Sequence, residues 1–278
     1  AVLARFVAAE LLQPLNKSYL TNFGNVIEGL RNPYYDLGAQ YTVPYVIYTT
    51  GIGYRTDRGI DTTAFVGDEG WSQMWNPAYA GRAGVLDSYR DTISMALFRN
   101  GVYDPNTDDA DAIAQAGSDL EALAEAVRPQ VDILAYQEVA AGNRDISLCW
   151  SGDMLAGVGY LPEGTSPDVL GFWYPQNSFT ANDFFSIPRE SQKPVLAHAL
   201  INFMLDADNS LANQVFVGYQ PALEALTADS LVAAGAIPES LVSALVTPVS
   251  FASGKRLVSL TPEVDALWLD AWSRFTTG

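Results

Sequence analysis

The chain has 278 residues, 49% of them apolar, with 15 basic side chains against 32 acidic and a formal net charge of −17 at pH 7. It is long enough to bury one large or two medium cores, and its charge would repel a phosphate backbone, which excludes a nucleic acid partner. A single cysteine, Cys149, and a single histidine, His198, rule out an internal disulfide and a zinc site built from Cys and His.

Residues 1–15, AVLARFVAAELLQPL, carry Val2, Leu3, Phe6, Val7 and Leu11 at helical spacing, interrupted by Arg5 and Glu10. The spacing predicts an amphipathic helix packed on a body and not a signal peptide. It opens with no cap, so further chain is expected upstream. YTVPYVIYTTGIGY (41–54) predicts strand. Its Gly51-Ile52-Gly53 lacks the third glycine and the following acid of a dinucleotide fingerprint. Trp71 and Trp75, in GWSQMWNPAYAGR, are expected to anchor a loop on the body. GRAGVL (81–86) predicts a short buried strand, followed by a helix with Asp87 as N-cap and Gly101 just past its end.

The run 107–127 predicts a helix with acids at its positive end. DISLCW (145–150) predicts a strand and GDMLAGV the start of a helix. FFSIP (184–188) predicts a strand. SQKPVLAHALINFMLD predicts a helix capped by Ser191, with His198 structural within it, as Cys149 is in its strand. TPEVDALWLDAWSRF (261–275) predicts a closing helix capped by Thr261, with Pro262 at its first position. No stretch reaches the ~18 apolar residues of a membrane span. Strands alternating with helices indicate an α/β class with a largely parallel sheet.

In open α/β sheets, ligands sit beyond the carboxyl ends of strands, where helices begin. Asp153, Asp91 and Asp183 fall at such places. Each taken singly reads as a cap, a dipole partner or a turn residue. Beside them stand Trp150, three residues before Asp153, and Tyr219 in VGYQPALEAL. An aromatic face beside carboxylates suits a ligand with ammonium groups on an aliphatic chain, the ring attracting the cation by roughly 0.5–2 kcal/mol. A metal held by Asp91, Asp153 and Asp183 would use oxygen ligands, but their spacing matches no known loop. Carboxylate-based glycoside hydrolysis would need one neutral acid, and nothing identifies it.

These motifs, in order along essentially the whole chain, resemble the spermidine/putrescine-binding proteins of ABC importers. The resemblance is carried by ELLQPLN, YTVPYVIYTTGIGYR, GWSQMWNPAYAGRAGVLDSYRDTISMAL, CWSGD, TANDFFSIP, INFMLD and VGYQPALEAL. It implies a two-lobed α/β receptor of the type II periplasmic binding protein class, with doubly wound mixed sheets and a hinge between lobes. Lobe one would hold residues 1–52 and 179–245, lobe two 53–178, with 246–278 packing on lobe two. Trp150 would stack on the polyamine. Asp153 and Asp183 would bind amino groups, Asp91 would reach another amine, and Tyr219 would close one side.

The same resemblance implies an extracytoplasmic monomer that passes its ligand to a membrane permease, with no catalytic residue, cofactor or metal. Ferric ion, thiamine or an amino-phosphonate are the alternative solutes, and a carboxylate-based hydrolase the alternative class. The chain departs from the family at Ala181, where an aromatic is usual, so that Phe179 is the candidate replacement wall. It departs again at Ser88, where some members carry an acid. About 70 residues of the first lobe are expected to precede Ala1.

Overall fold

The computed structural model describes residues 2–175 and 178–277. The chain forms two compact units, residues 1–48 with 181–237 and residues 49–180 with 238–278. The described residues form the strands β1 (Val43–Arg55), β2 (Ala83–Leu86), β3 (Gln130–Asp132), β4 (Ile146–Trp150), β5 (Leu170–Trp173), β6 (Thr180–Phe185) and β7 (Gln220–Pro221). Long β1 and short β6 are ordered strands through which the chain passes from one unit to the other.

In the second unit, the C-terminal half of β1 runs antiparallel to both β4 and β5, with Thr50 opposite Trp150 and Ile52 opposite Trp173. β2 is parallel to β3 and to β4. The sheet is therefore mixed and not largely parallel. Its parallel part is where helices Tyr89–Arg99 and Ala110–Ala126 carry the chain back from β2 to β3. Gly51 and Gly53 serve close packing: a Cβ on Gly53 would stand 2.6 Å from Met154 Sδ and 2.7 Å from Cys149 Sγ, and one on Gly51 would strike the Trp173 carbonyl.

The core of this unit gathers Ile52, Trp71, Met74, Val85, Ile93, Leu97, Leu120, Leu148 and Trp268, all essentially sealed from water. Trp71 lies edge-on to Trp173 at 5.2 Å. Trp75 donates its indole N–H to Asp119 O at 2.8 Å beneath Arg99. Both tryptophans thus anchor the 67–75 segment, as expected. The closing helix Pro262–Thr277 packs on Ala110–Ala126. Residues 238–245 also belong to this unit and not to the first, because Leu241 and Ala244 are buried where 239–244 pack on β5 and on helix Ser151–Gly157.

In the first unit, the N-terminal half of β1 pairs with β7, Val46 opposite Pro221 and Ile47 opposite Gln220. Helices Pro194–Met204 and Ala207–Val217 follow β6. His198 is buried and structural: Nε2 accepts the Asn16 N–H at 2.9 Å, and Nδ1 donates to Pro194 O at 2.7 Å.

Several element ends differ from expectation. The first helix stops at Ala8, Glu10 takes a left-handed φ of 53°, and of its apolar set Leu3 is buried while Phe6 and Leu11 are exposed. Ser88, and not Asp87, stands at the N-cap of the helix that follows β2. Lys193, and not Ser191, precedes Pro194, whose fixed φ starts that helix.

Candidate functional site

The residues singled out from sequence fall into two clusters, one in each unit. The second unit holds Trp150, Asp153 and Asp91. Trp150 ends β4 and is half-buried. Small Ser151 and Gly152 let the chain turn at once into helix Ser151–Gly157, which puts Asp153 in its first turn. Asp153 is buried, and its Oδ2 accepts the Trp150 backbone N–H at 3.1 Å. The reciprocal reach of an acid back to the cap residue's N–H is the acidic half of a capping box. Cys149 beside it is sealed in the core. Burial, with Asp153 as a lesser contributor, pushes its thiol well above the usual range, which keeps it an inert packing group.

Asp91 sits in the first turn of helix Tyr89–Arg99 and is buried. Its Oδ1 accepts from Thr50 Oγ1 at 2.7 Å and from Trp150 Nε1 at 3.3 Å, and its Oδ2 from Ser88 Oγ at 2.5 Å. Burial raises its pKa, and these three hydrogen bonds pull the other way. Both N–H groups of Trp150 thus end on carboxylates.

The first unit holds Asp183 and Tyr219. The strand expected at 184–188 is in fact Thr180–Phe185, so Asp183 lies within β6 and not before it. Polar Thr180-Ala181-Asn182 reads as a turn, but pairing with β1 extends it. Asp183 is exposed, and its Oδ1 accepts from Tyr48 Oη at 3.2 Å. Surrounding protein raises its pKa despite that exposure, and the Tyr48 hydroxyl offsets part of the rise.

Tyr48, which sequence reasoning missed, also stands edge-on to Tyr219 with centroids 5.8 Å apart. One residue along β6, Phe184 stacks on Tyr35 at 5.7 Å, and Asn182 Nδ2 donates to Tyr35 Oη at 2.6 Å. Tyr35 lies in a turn that packs beside Asp183's strand neighbours. Phe179 supplies no wall: it is buried in the second unit's core, 5.9 Å from Phe98. Among the described residues no group of three His, Cys, Asp or Glu side chains could hold a metal ion.

Chemically, each cluster pairs a carboxylate with aromatic surface. A carboxylate accepts an ammonium in a charge-assisted hydrogen bond of roughly 1.5–3 kcal/mol, and a ring covers methylenes and attracts the cation.

Comparison with known proteins gives a family match over residues 1–239, to bacterial extracellular solute-binding protein. A spermidine/putrescine-binding periplasmic protein of Escherichia coli K12 is 28% identical over 209 residues, 75% of this chain and 57% of its own length. A putrescine/cadaverine-binding protein of Pseudomonas aeruginosa PAO1 is 30% identical over 233 residues, 78% of this chain and 62% of its own. The chain therefore spans less than two thirds of either relative.

Among solved structures, the spermidine/putrescine ABC transporter substrate-binding protein of Streptococcus pneumoniae superposes with TM-score 0.78 at 21% identity, over 99% of this chain and 80% of that one. A putative spermidine/putrescine ABC transporter protein of Listeria monocytogenes gives TM-score 0.80 at 20% identity, again over 99% and 80%. This likeness shows the fold, that of type II periplasmic binding proteins. No helix among the described residues is long and apolar enough to cross a membrane.

Proposed function

The chain belongs to the bacterial extracellular solute-binding protein family, and from that premise we propose that it captures a polyamine of the putrescine/spermidine class outside the cytoplasm. It delivers this ligand, as a monomer and without catalysis, to the permease of an ABC importer. The observation that carries the reading is the pairing of carboxylate with aromatic surface in each unit: Asp183 with Tyr48 and Tyr219 in one, Asp153 and Asp91 with Trp150 in the other.

A linear diamine has a cation at each end and methylenes between, which matches acids and rings in that combination. Its six heavy atoms, at a ceiling of about 1.5 kcal/mol each, allow about micromolar binding. The net charge of −17 favours a cationic solute and disfavours anions such as phosphonates. Capture proceeds by hinge closure, a population shift toward a ligand-bound form. The names of the two relatives above, one for spermidine/putrescine and one for putrescine/cadaverine, support the same ligand class.

A thermal-shift titration at neutral pH tests this, with putrescine, spermidine, thiamine, ferric citrate and an amino-phosphonate. Stabilisation following RT ln(1 + [L]/Kd) is expected for a polyamine and is expected to shrink in Asp183→Asn. A shift with another solute alone would keep the receptor and change its cargo. Silence with every polyamine would overturn the assignment.

A further inference from the structure

We propose that Asp91 is a positioning residue that orients and polarises the Trp150 indole, and that it does not itself receive a ligand amine. This rests on the polyamine reading above and changes the number of acids available to the ligand. Thr50 and Trp150 face each other across β1 and β4, which puts their side chains on one face of the sheet. Both donate to the same oxygen of Asp91. Ser88, at the N-cap, makes no side-chain cap to its own helix, and its hydroxyl turns to the other oxygen.

Two strands and a helix start thus converge on one carboxylate that is only 6% exposed. The adjacent guanidinium does not compete for it: Arg90 donates instead to Val258 O, Pro105 O and Asn106 Oδ1. Asp91 is thus held by three neutral donors, the indole N–H among them.

An indole that donates to an anion gains electron density in its ring, so its face attracts cations more strongly. The same bond adds an anchor at the indole edge of a ring that also packs against the core. Asp91 therefore acts on the ligand through Trp150.

Two measurements test this. In proton–nitrogen correlation spectra of the ligand-free protein, Trp150→Phe identifies the Trp150 indole N–H, and Asp91→Asn is expected to shift it upfield as the bond to the anion weakens. A resonance that does not move would overturn the proposal, whatever the protein binds. The second is a putrescine-binding cycle of Asp91→Asn and Trp150→Phe.

Asp91→Asn should weaken binding about ten-fold in the parent chain. In the Trp150→Phe background, where the ring has no N–H, it should weaken binding less than about two-fold. A full ten-fold effect persisting in that background, or no effect in either, would overturn the proposal. Failure of the parent chain to bind putrescine would refute the polyamine reading, and the indole resonance would then decide the role of Asp91 alone.

Discussion

The two units mount their recognition groups on different supports. In the second, Trp150 ends a strand and packs against a sealed core that includes Trp71, Trp268, Ile93 and Leu120, and carboxylates hold both of its N–H groups. In the first, Asp183 lies on the short strand β6, propped by rings of Tyr48 and Tyr219. Helix Pro194–Met204 buries His198 and Ile201 but leaves Val195, Leu196, Leu200 and Phe203 more than half exposed. The contrast separates two ways of fixing a binding group. A rigid aromatic wall needs a packed core behind it, whereas an acid that must meet a cation needs access and a single tuning hydroxyl.

The largest expected effect breaks the support of the second unit. Trp71→Ala empties a site closed by Trp173 and Phe98 and should cost about 3–5 kcal/mol in denaturant unfolding. Next comes Asp183→Asn, which removes an accepting charge without removing packing. It should cost polyamine affinity roughly 1.5–3 kcal/mol by calorimetry. Gly51→Ala follows, because the added methyl meets the Trp173 carbonyl and the Phe172 ring. A loss of about 1–3 kcal/mol in stability is expected, with a changed near-ultraviolet tryptophan signal.

The pH dependence sharpens the contrast. The pKa of Asp183 is raised in the folded chain by its surroundings, with Tyr48 opposing. The folded state therefore holds this proton more tightly than the unfolded chain. The charged form costs stability above the raised pKa, and the cost is relieved as pH falls through it toward the unfolded value. Polyamine affinity should move the opposite way, falling with pH from an onset above that of an ordinary aspartate. Asp183→Asn should flatten that affinity profile. The smallest effect is expected at the exposed face of the first unit, where Leu200→Ser should change stability by no more than about 0.5 kcal/mol in thermal melts.

Much of this was legible in the sequence where local rules and tertiary needs agree. The run 107–127 became helix Ala110–Ala126, with Asp109 accepting from the N–H groups of Asp111 and Ala112. The WSGD step gave its turn directly, since a strand that ends at Trp150 and two small residues leave little else. Strand β6 was misplaced because Thr180-Ala181-Asn182 carries turn-like composition, and only pairing with β1 extends it.

Tyr48 was invisible for a related reason. In YVIYTT it is one aromatic among several, and its role depends on Asp183, which is 135 residues away in sequence. The only available hint was general: a half-buried tyrosine in a strand seeks a partner for its hydroxyl. The bond from Ser88 to Asp91 was likewise hidden, because a serine before a helix reads as a backbone cap.

The most direct measurement is isothermal titration of putrescine and spermidine at neutral pH into the parent chain, Asp183→Asn and Trp150→Ala. One site of about micromolar affinity in the parent, weakened by each substitution, is the predicted result. Heat of binding left unchanged in Asp183→Asn and Trp150→Ala, or absent for both amines in the parent, would contradict it.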